Sequence, residues 1–182
     1  MNRIDLNKHI AKVADFPKKG ILFFDITPLF TDSDAFFKVV EDWADLLKNV
    51  KATKILAMEA RGFLFAAPLA IALNLPLVLV RKKGKLPRQT LDETYDLEYG
   101  TATISVHKDD ISKDDSVIIV DDLLATGGTA KAACKLVEKL GAKTALCTFL
   151  CQLDFLDGKK TLAGENILTM YTCKDSDFCC NF

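Results

Sequence analysis

Two adjacent acids, Asp121 and Asp122, follow an uncharged β-branched run, Val117-Ile118-Ile119-Val120, and precede the small-residue segment Ala125-Thr126-Gly127-Gly128-Thr129. Four aliphatic residues without a charge suit a strand covered on both faces of a parallel sheet. The acids are then expected beyond the carboxyl end of that strand, where such sheets take ligands. The small residues and hydroxyls that come next open a helical pattern. Free N–H groups at a helix N-terminus, together with the helix dipole, favour a phosphate. A carboxylate repels phosphate but accepts hydrogen bonds from vicinal hydroxyls. Acids and phosphate cradle side by side therefore point to a phosphosugar, with ribose at one end and phosphate at the other. The alternative is a structural Gly-rich turn between strand and helix; against it, two like charges at a strand end gain nothing structurally.

The elements that must position these residues are legible as a parallel α/β pattern. Residues Ile55 to Met58 read as a strand, Gly62 to Leu73 as a helix and Leu77 to Val80 as a second strand, together a βαβ unit. The strand Val117 to Val120 starts another: Ala133, Leu136, Val137 and Leu140 fall on one face of its helix, and Gly141 ends that helix before the apolar strand Thr144 to Leu150. Thr101 to Val106 alternates like a half-exposed strand. Upstream, Ser33 or Asp34 can cap a helix that turns Phe36, Val40, Trp43 and Leu47 to the core. The uncharged stretch from Gly62 to Val80 is nearly long enough to span a bilayer, but Pro68 and the break at Asn74-Leu75-Pro76 divide it, so no membrane span is expected.

Bulk properties narrow the class without choosing a reaction. A chain of 182 residues is expected to form one domain with a sizeable core, and a net charge of -1 argues against a general nucleic-acid or membrane-surface binder. The first residues lack a continuous apolar region, so a cytoplasmic location is the default expectation. Six cysteines, at 134, 147, 151, 173, 179 and 180, show no Cys-x-x-Cys pairing; free thiols are expected and no zinc site is evident. Cys179-Cys180 reads either as a redox-sensitive pair or as unremarkable tail residues. His9 and His107 lack any ligand-like spacing. Neither Gly-x-Gly-x-x-Gly nor Gly-x-x-x-x-Gly-Lys-Ser/Thr is present, so the dinucleotide and nucleotide-triphosphate loops are set aside.

The run from 117 to 131 resembles the signature for 5-phosphoribosyl-1-pyrophosphate (PRPP) in the type I phosphoribosyltransferases. Four further segments, in order along the chain, look like the adenine phosphoribosyltransferase family. They are Phe16-Pro17-Lys18-Lys19-Gly20-Ile21-Leu22-Phe23-Phe24-Asp25-Ile26-Thr27-Pro28, Glu59-Ala60-Arg61-Gly62-Phe63-Leu64-Phe65, Arg81-Lys82-Lys83-Gly84-Lys85-Leu86-Pro87, and Leu97-Glu98-Tyr99-Gly100. Roughly the last thirty residues carry no matching pattern. Three positions depart from the family. Phe24 stands where relatives often carry Arg, Ala66 where the family has Gly, and Arg88 where a Gly is expected after Lys85-Leu86-Pro87. A Gly lost at 88 would stiffen the hinge of a lid, whereas a gained cation would add to the grip on pyrophosphate.

The resemblance implies an α/β, parallel-sheet type I phosphoribosyltransferase fold with flanking helices. It adds a small base-binding hood over about residues 1–33 and a flexible catalytic loop over about 84–100, all in one domain. It implies transfer of the phosphoribosyl group from PRPP to adenine, giving AMP and pyrophosphate, with Mg²⁺ arriving bound to PRPP and no metal held by the protein alone. Other bases, or PRPP binding without reaction, are the alternatives. By resemblance, Asp121, Asp122, Ala125, Thr126, Gly127, Gly128 and Thr129 hold the ribose and its phosphate. Ala60 and Arg61 form the pyrophosphate loop, with a non-proline cis peptide, while Arg81, Lys82 and Lys85 add positive charge. For Arg61 the alternative is a salt bridge to Glu59, and for the basic run it is a solvated loop. Ile21, Leu22, Phe23 and Phe24 map to the adenine pocket, or else to a buried hairpin. Glu98, as proton relay, and Tyr99 enter the site with the lid, although a Glu in a flexible loop is usually just solvated. A homodimer is implied as well, in which cations of one subunit reach the site of the other.

Overall fold

The computed structural model describes residues 4–20, 22–96 and 100–173. Seven strands form the central sheet: β3 (Lys54–Met58), β4 (Leu77–Lys82), β5 (Thr90–Asp96), β6 (Thr101–His107), β7 (Ser116–Leu124), β8 (Lys143–Leu153) and β9 (Ile167–Cys173), in the order β5-β6-β4-β3-β7-β8-β9. The five strands β4, β3, β7, β8 and β9 pair in parallel, and the β5–β6 hairpin joins antiparallel along β4. A separate two-stranded antiparallel ribbon, β1 (Ala11–Ala14) with β2 (Leu22–Asp25), falls within the stretch expected to be the hood. Among the described residues the α-helices are α1 (Thr27–Thr31), α2 (Ser33–Leu47), α3 (Gly62–Leu73), α4 (Gly128–Lys139) and the single turn α5 (Gly158–Thr161).

Alternation along the strands builds two cores, one on each face of the sheet. Ile55, Ala57, Ile118 and Val120 face α2, α3 and the hood, whereas Leu56, Met58, Val117 and Ile119 face α4 and the hairpin. Trp43 and Phe65 anchor the first core with rings 5.6 Å apart, and the Trp43 indole donates to the Thr148 hydroxyl at 2.7 Å. Helices α3 and α4 thus lie on opposite faces. The crevice between β3 and β7 is consequently a topological switch point, where open α/β sheets bind ligands.

Several elements depart from the sequence reading. The cap of α2 is Asp32, whose carboxylate accepts from the Ala35 N–H at 3.0 Å, rather than Ser33 or Asp34. The core face of α2 is turned by one residue: Ala35, Val39, Trp43 and Leu47 are buried, while Phe36 and Val40 pack only partly. Strand β7 does not stop at Val120 but runs on through both acids, because β8 continues to pair with it at Asp121, Leu123 and Leu124. Much of the stretch expected to be a loop, 84–100, is strand β5, held in register by β6 from Thr90 to Asp96. Among the described residues, no helix is long and apolar enough to cross a membrane.

Candidate active site

The cleft exists because β7 outruns its neighbour. β3 pairs with β7 only from Lys54 to Ala57, opposite Val117 to Val120, so beyond Val120 one edge of β7 faces open space. Asp121 and Asp122 stand there, and since successive strand side chains leave in opposite directions, they meet different surroundings. The Asp122 carboxylate takes the Arg61 Nε at 2.7 Å. Asp121 borders both the main cleft and the smaller cavity of the Ala125–Thr129 loop, and its carboxylate accepts from the Asp122 N–H at 2.9 Å. Burial first, and then the charge of Asp122, push the Asp121 carboxyl well above the usual range.

The chain leaves β3 at Met58 and turns through Glu59-Ala60-Arg61, with a cis peptide between Glu59 and Ala60. It then enters α3 at Gly62. A Cβ at Gly62 would lie 2.9 Å from Asp121 Oδ1 and 2.9 Å from the Val120 carbonyl oxygen, so only glycine lets α3 approach β7 this closely. Glu59 does not pair with Arg61. Its two oxygens take the Arg81 Nη2 at 3.1 Å and the Lys82 N–H at 2.8 Å. Burial pushes the Glu59 carboxyl upward, but these two bonds outweigh it and hold the group below its ordinary value.

The main cleft, of ≈ 400 Å³, is lined by Glu59, Ala60, Arg61, Lys82, Tyr95, Asp121, Asp122 and Thr129, with Met58, Val80, Ile104 and Leu123 as its apolar floor. Next to it, Leu123 to Ala130 with Asp121 and Phe149 enclose ≈ 70 Å³ at the N-terminus of α4. Gly127 sits at φ +82° in this loop, the left-handed region that favours glycine. Helix α5 braces the loop from behind: the Thr161 hydroxyl donates to the Thr126 carbonyl at 2.6 Å, and a Cβ on Gly158 would collide with the Ala125 carbonyl oxygen.

The expected residues are therefore mostly, but not all, gathered. Ala60, Arg61, Lys82, Asp121, Asp122 and the whole segment Ala125, Thr126, Gly127, Gly128, Thr129 line the two cavities. In the hood, the Phe23 ring lies 6.0 Å from the Arg61 guanidinium and edge-on to Phe16 at 5.1 Å, which puts an aromatic face beside the cleft. Leu22 is half-buried, and Phe24 turns into the core rather than toward a ligand. Arg81 is turned away, with Nη2 on Glu59 and Nη1 donating to the Lys85 carbonyl at 3.2 Å. Lys85 is exposed outside the cleft. Arg88 adds nothing to an anion site: its Nη2 reaches both oxygens of Asp110 at 2.8 Å and His107 Nδ1 at 2.9 Å, pinning the root of the hairpin. Ile21, Glu98, Tyr99, Cys179 and Cys180 lie outside the described residues. Cys134, Cys147, Cys151 and Cys173 are free thiols, as expected.

Sequence reasoning missed Tyr95, Gly158 and Thr161. Tyr95 carried only a broken signal, since Leu91 and Tyr95 share a strand face but the charged Glu93 stands between them and interrupts the apolar alternation. Gly158 and Thr161 carried none, because their part is set by a contact with a loop far away in the chain.

Comparison with known proteins agrees with this geometry. The sequence matches the phosphoribosyl transferase domain family over residues 30–176. It is 48% identical over 161 residues to the adenine phosphoribosyltransferase of Maridesulfovibrio salexigens, covering 88% of this chain and 95% of that one. The crystal structure of adenine phosphoribosyltransferase from Thermoanaerobacter pseudethanolicus superposes with a TM-score of 0.89 at 49% identity, over 92% of this chain and 98% of that chain. The Saccharomyces cerevisiae adenine phosphoribosyltransferase, solved with an imino-altritol bisphosphate and adenine, gives 0.85 at 38% identity, over 91% and 96%. With the acid pair, the Ala125–Thr129 loop and the aromatic ribbon gathered around one switch-point cleft, the chain belongs to the adenine phosphoribosyltransferase family.

Proposed function

We propose that this chain transfers the 5-phosphoribosyl group of PRPP to adenine, forming AMP and releasing pyrophosphate in purine salvage. The observation that carries this reading is that Asp121 and Thr129 line both the charged cleft and the phosphate cradle. One ligand can thus reach from the cradle to Arg61. In this reading the 5-phosphate takes the free N–H groups and hydroxyls of Ala125–Thr129, while Asp121 and Asp122 accept from the ribose hydroxyls.

As pyrophosphate departs, positive charge builds on the anomeric carbon and negative charge on the leaving group. Arg61 and Lys82 meet that negative charge from the cleft wall. Arg61 already has its Nε on Asp122, which leaves the fork of Nη groups for two phosphate oxygens. Mg²⁺ bound to the oxygens of PRPP would neutralise part of the pyrophosphate charge, and Asp121 and Asp122 are carboxylates of the kind that hold such an ion through water. Two adjacent carboxylates suit an ion that arrives with its phosphates.

Adenine stacks on Phe23, and backbone groups of Ile21 to Phe24 read its edge. The yeast relative was solved with adenine, and this hood segment offers no charged side chain toward a 6-oxo purine. We assign residues 1–33 to the hood and 84–100 to a lid whose stalk is the β5–β6 hairpin. Closure excludes water from the activated sugar, with Glu98 relaying the purine proton and Tyr99 packing near the reacting centre. The apolar helix α3 leaves Leu64 and Ile71 exposed, Ile71 by 83%, beside Leu77. That uncovered face supports a homodimer, in which Lys85 is free to reach the neighbouring site. Free thiols support a cytoplasmic location.

The test is turnover of purified protein with Mg²⁺ and PRPP, offered adenine, guanine and hypoxanthine side by side. AMP formation from adenine alone is expected. Preferred turnover of a 6-oxo purine would overturn the base assignment, and PRPP binding without any turnover would overturn the enzyme.

A further inference from the structure

Strand β5 lies along α4 and is clasped to it at two points, Glu93 and Tyr95. Glu93 is buried between them, with Lys139 Nζ at 2.5 Å and Lys135 Nζ at 3.5 Å, near the C-terminal end of α4. Two residues further along the same strand face, the Tyr95 hydroxyl accepts from the Thr129 hydroxyl at 3.0 Å. The Tyr95 ring also rests against the N-terminus of α4, since a Cβ on Gly128 would meet its Cδ2 at 3.4 Å. One clasp therefore involves only structural lysines. The other joins the hairpin to a residue of the phosphate cradle, and both of its partners line the main cleft.

A threonine hydroxyl has one proton to donate and two lone pairs. Between two hydroxyls either can donate, and with Thr129 as donor its proton goes to Tyr95. A phosphate is an acceptor, so Thr129 must turn its proton toward it when the donor substrate binds. Tyr95 has a proton of its own and can then donate to the Thr129 oxygen. The bond survives with its direction reversed, and the polarised Thr129 O–H becomes the better donor.

We propose that Tyr95 is a positioning residue that orients the Thr129 hydroxyl onto the 5-phosphate, and that this bond couples phosphate occupancy to the seating of the β5–β6 hairpin on α4. The inference rests on Ala125–Thr129 being the phosphate cradle. Coupling of this kind is reciprocal: a seated hairpin tightens phosphate binding, and bound phosphate tightens the hairpin.

The test uses the full chain and ribose 5-phosphate, which carries the 5-phosphate but no pyrophosphate. Its affinity is measured by calorimetry, with amide hydrogen exchange followed over residues 90–96. Tyr95→Phe keeps the ring and removes the hydroxyl; it is expected to weaken ribose 5-phosphate by about 3- to 10-fold, the loss of one net hydrogen bond, while pyrophosphate binding and thermal stability stay unchanged. In turnover, KM for PRPP rises and KM for adenine does not. Ribose 5-phosphate slows exchange over 90–96 in the parent chain and fails to do so in Tyr95→Phe. With Thr129→Val already present, Tyr95→Phe adds no further loss, whereas with Thr129→Ser it still does. Unchanged ribose 5-phosphate affinity in Tyr95→Phe, or equal weakening of both ligands, overturns the proposal. A parent chain that binds PRPP but in which neither Tyr95→Phe nor Thr129→Val alters ribose 5-phosphate binding overturns it too, and moves the cradle elsewhere.

Discussion

The charged groups around the cleft fall into two sets that look alike in sequence and differ in what they have left to bond. Glu59 and Arg81 form a nearly closed set: both carboxylate oxygens are taken, one by the guanidinium and one by a backbone N–H, and Arg81 also caps the Lys85 carbonyl, leaving its buried Nε without a hydrogen-bond partner. Glu93 with Lys135 and Lys139 is closed in the same way. Arg61 and Asp122 form the open set: among the described residues they share one ion pair, through Nε, and both line the cleft. A charge that serves the fold has spent most of its bonding capacity inside the protein. A charge that serves a ligand has kept some back.

Breaking the open pair should have the largest effect. Arg61→Ala is expected to lower kcat/KM by about 100-fold or more, the loss of a charged donor to the leaving group. Arg81→Ala should instead lower stability by about 1–3 kcal/mol, because Glu59 loses a buried partner, and leave kcat/KM of the folded protein nearly intact. Steady-state kinetics and denaturant unfolding of the two variants decide it. Equal catalytic losses would erase the distinction between the sets.

An intermediate effect is expected where the cradle is braced. Gly158→Ala forces the Ala125 carbonyl to move, at about 1–3 kcal/mol of overpacking, and displaces the loop. The KM for PRPP should rise with little change in that for adenine. An unchanged KM for PRPP would remove α5 from the site.

The smallest effect concerns the closed Glu93 set and is read in acid. The Lys139 bond holds the Glu93 carboxyl below its ordinary value, against the upward push of burial. A depressed folded value contributes stability above the unfolded value, roughly pH 4.3, and that contribution is lost as pH falls through the folded value. The stability difference between the parent chain and Glu93→Gln should thus be constant near neutrality and shrink below about pH 4.3. A difference that grows toward acid would contradict the pairing.

Residues whose work is local were legible in the sequence, and those whose work is tertiary were not. Val117–Val120, the acid pair and the Gly-rich loop announce themselves because strand, turn and helix start lie within one short segment. The βαβ unit around Gly62–Leu73 does so for the same reason. Strand β5 was hidden because a Glu sits on its buried face, a polarity that is tolerable only with Lys135 and Lys139 far along the chain. The cation at Arg88 could not be told from a phosphate ligand until Asp110 and His107 were seen beside it. For Phe24, burial decided between pocket and core, and burial is a property of the assembled hood.

Gly62 bears on how this chain could be engineered. Glycine in a helix is disfavoured by about 1 kcal/mol relative to alanine, so a redesign that scores local propensity would replace it at the head of α3. The added methyl would reach Asp121 Oδ1 and the Val120 carbonyl, wedging the helix off the strand that carries both acids. The most attractive stabilising substitution on paper is the one that pries the binding cleft apart, and a propensity-guided library should hold position 62 fixed.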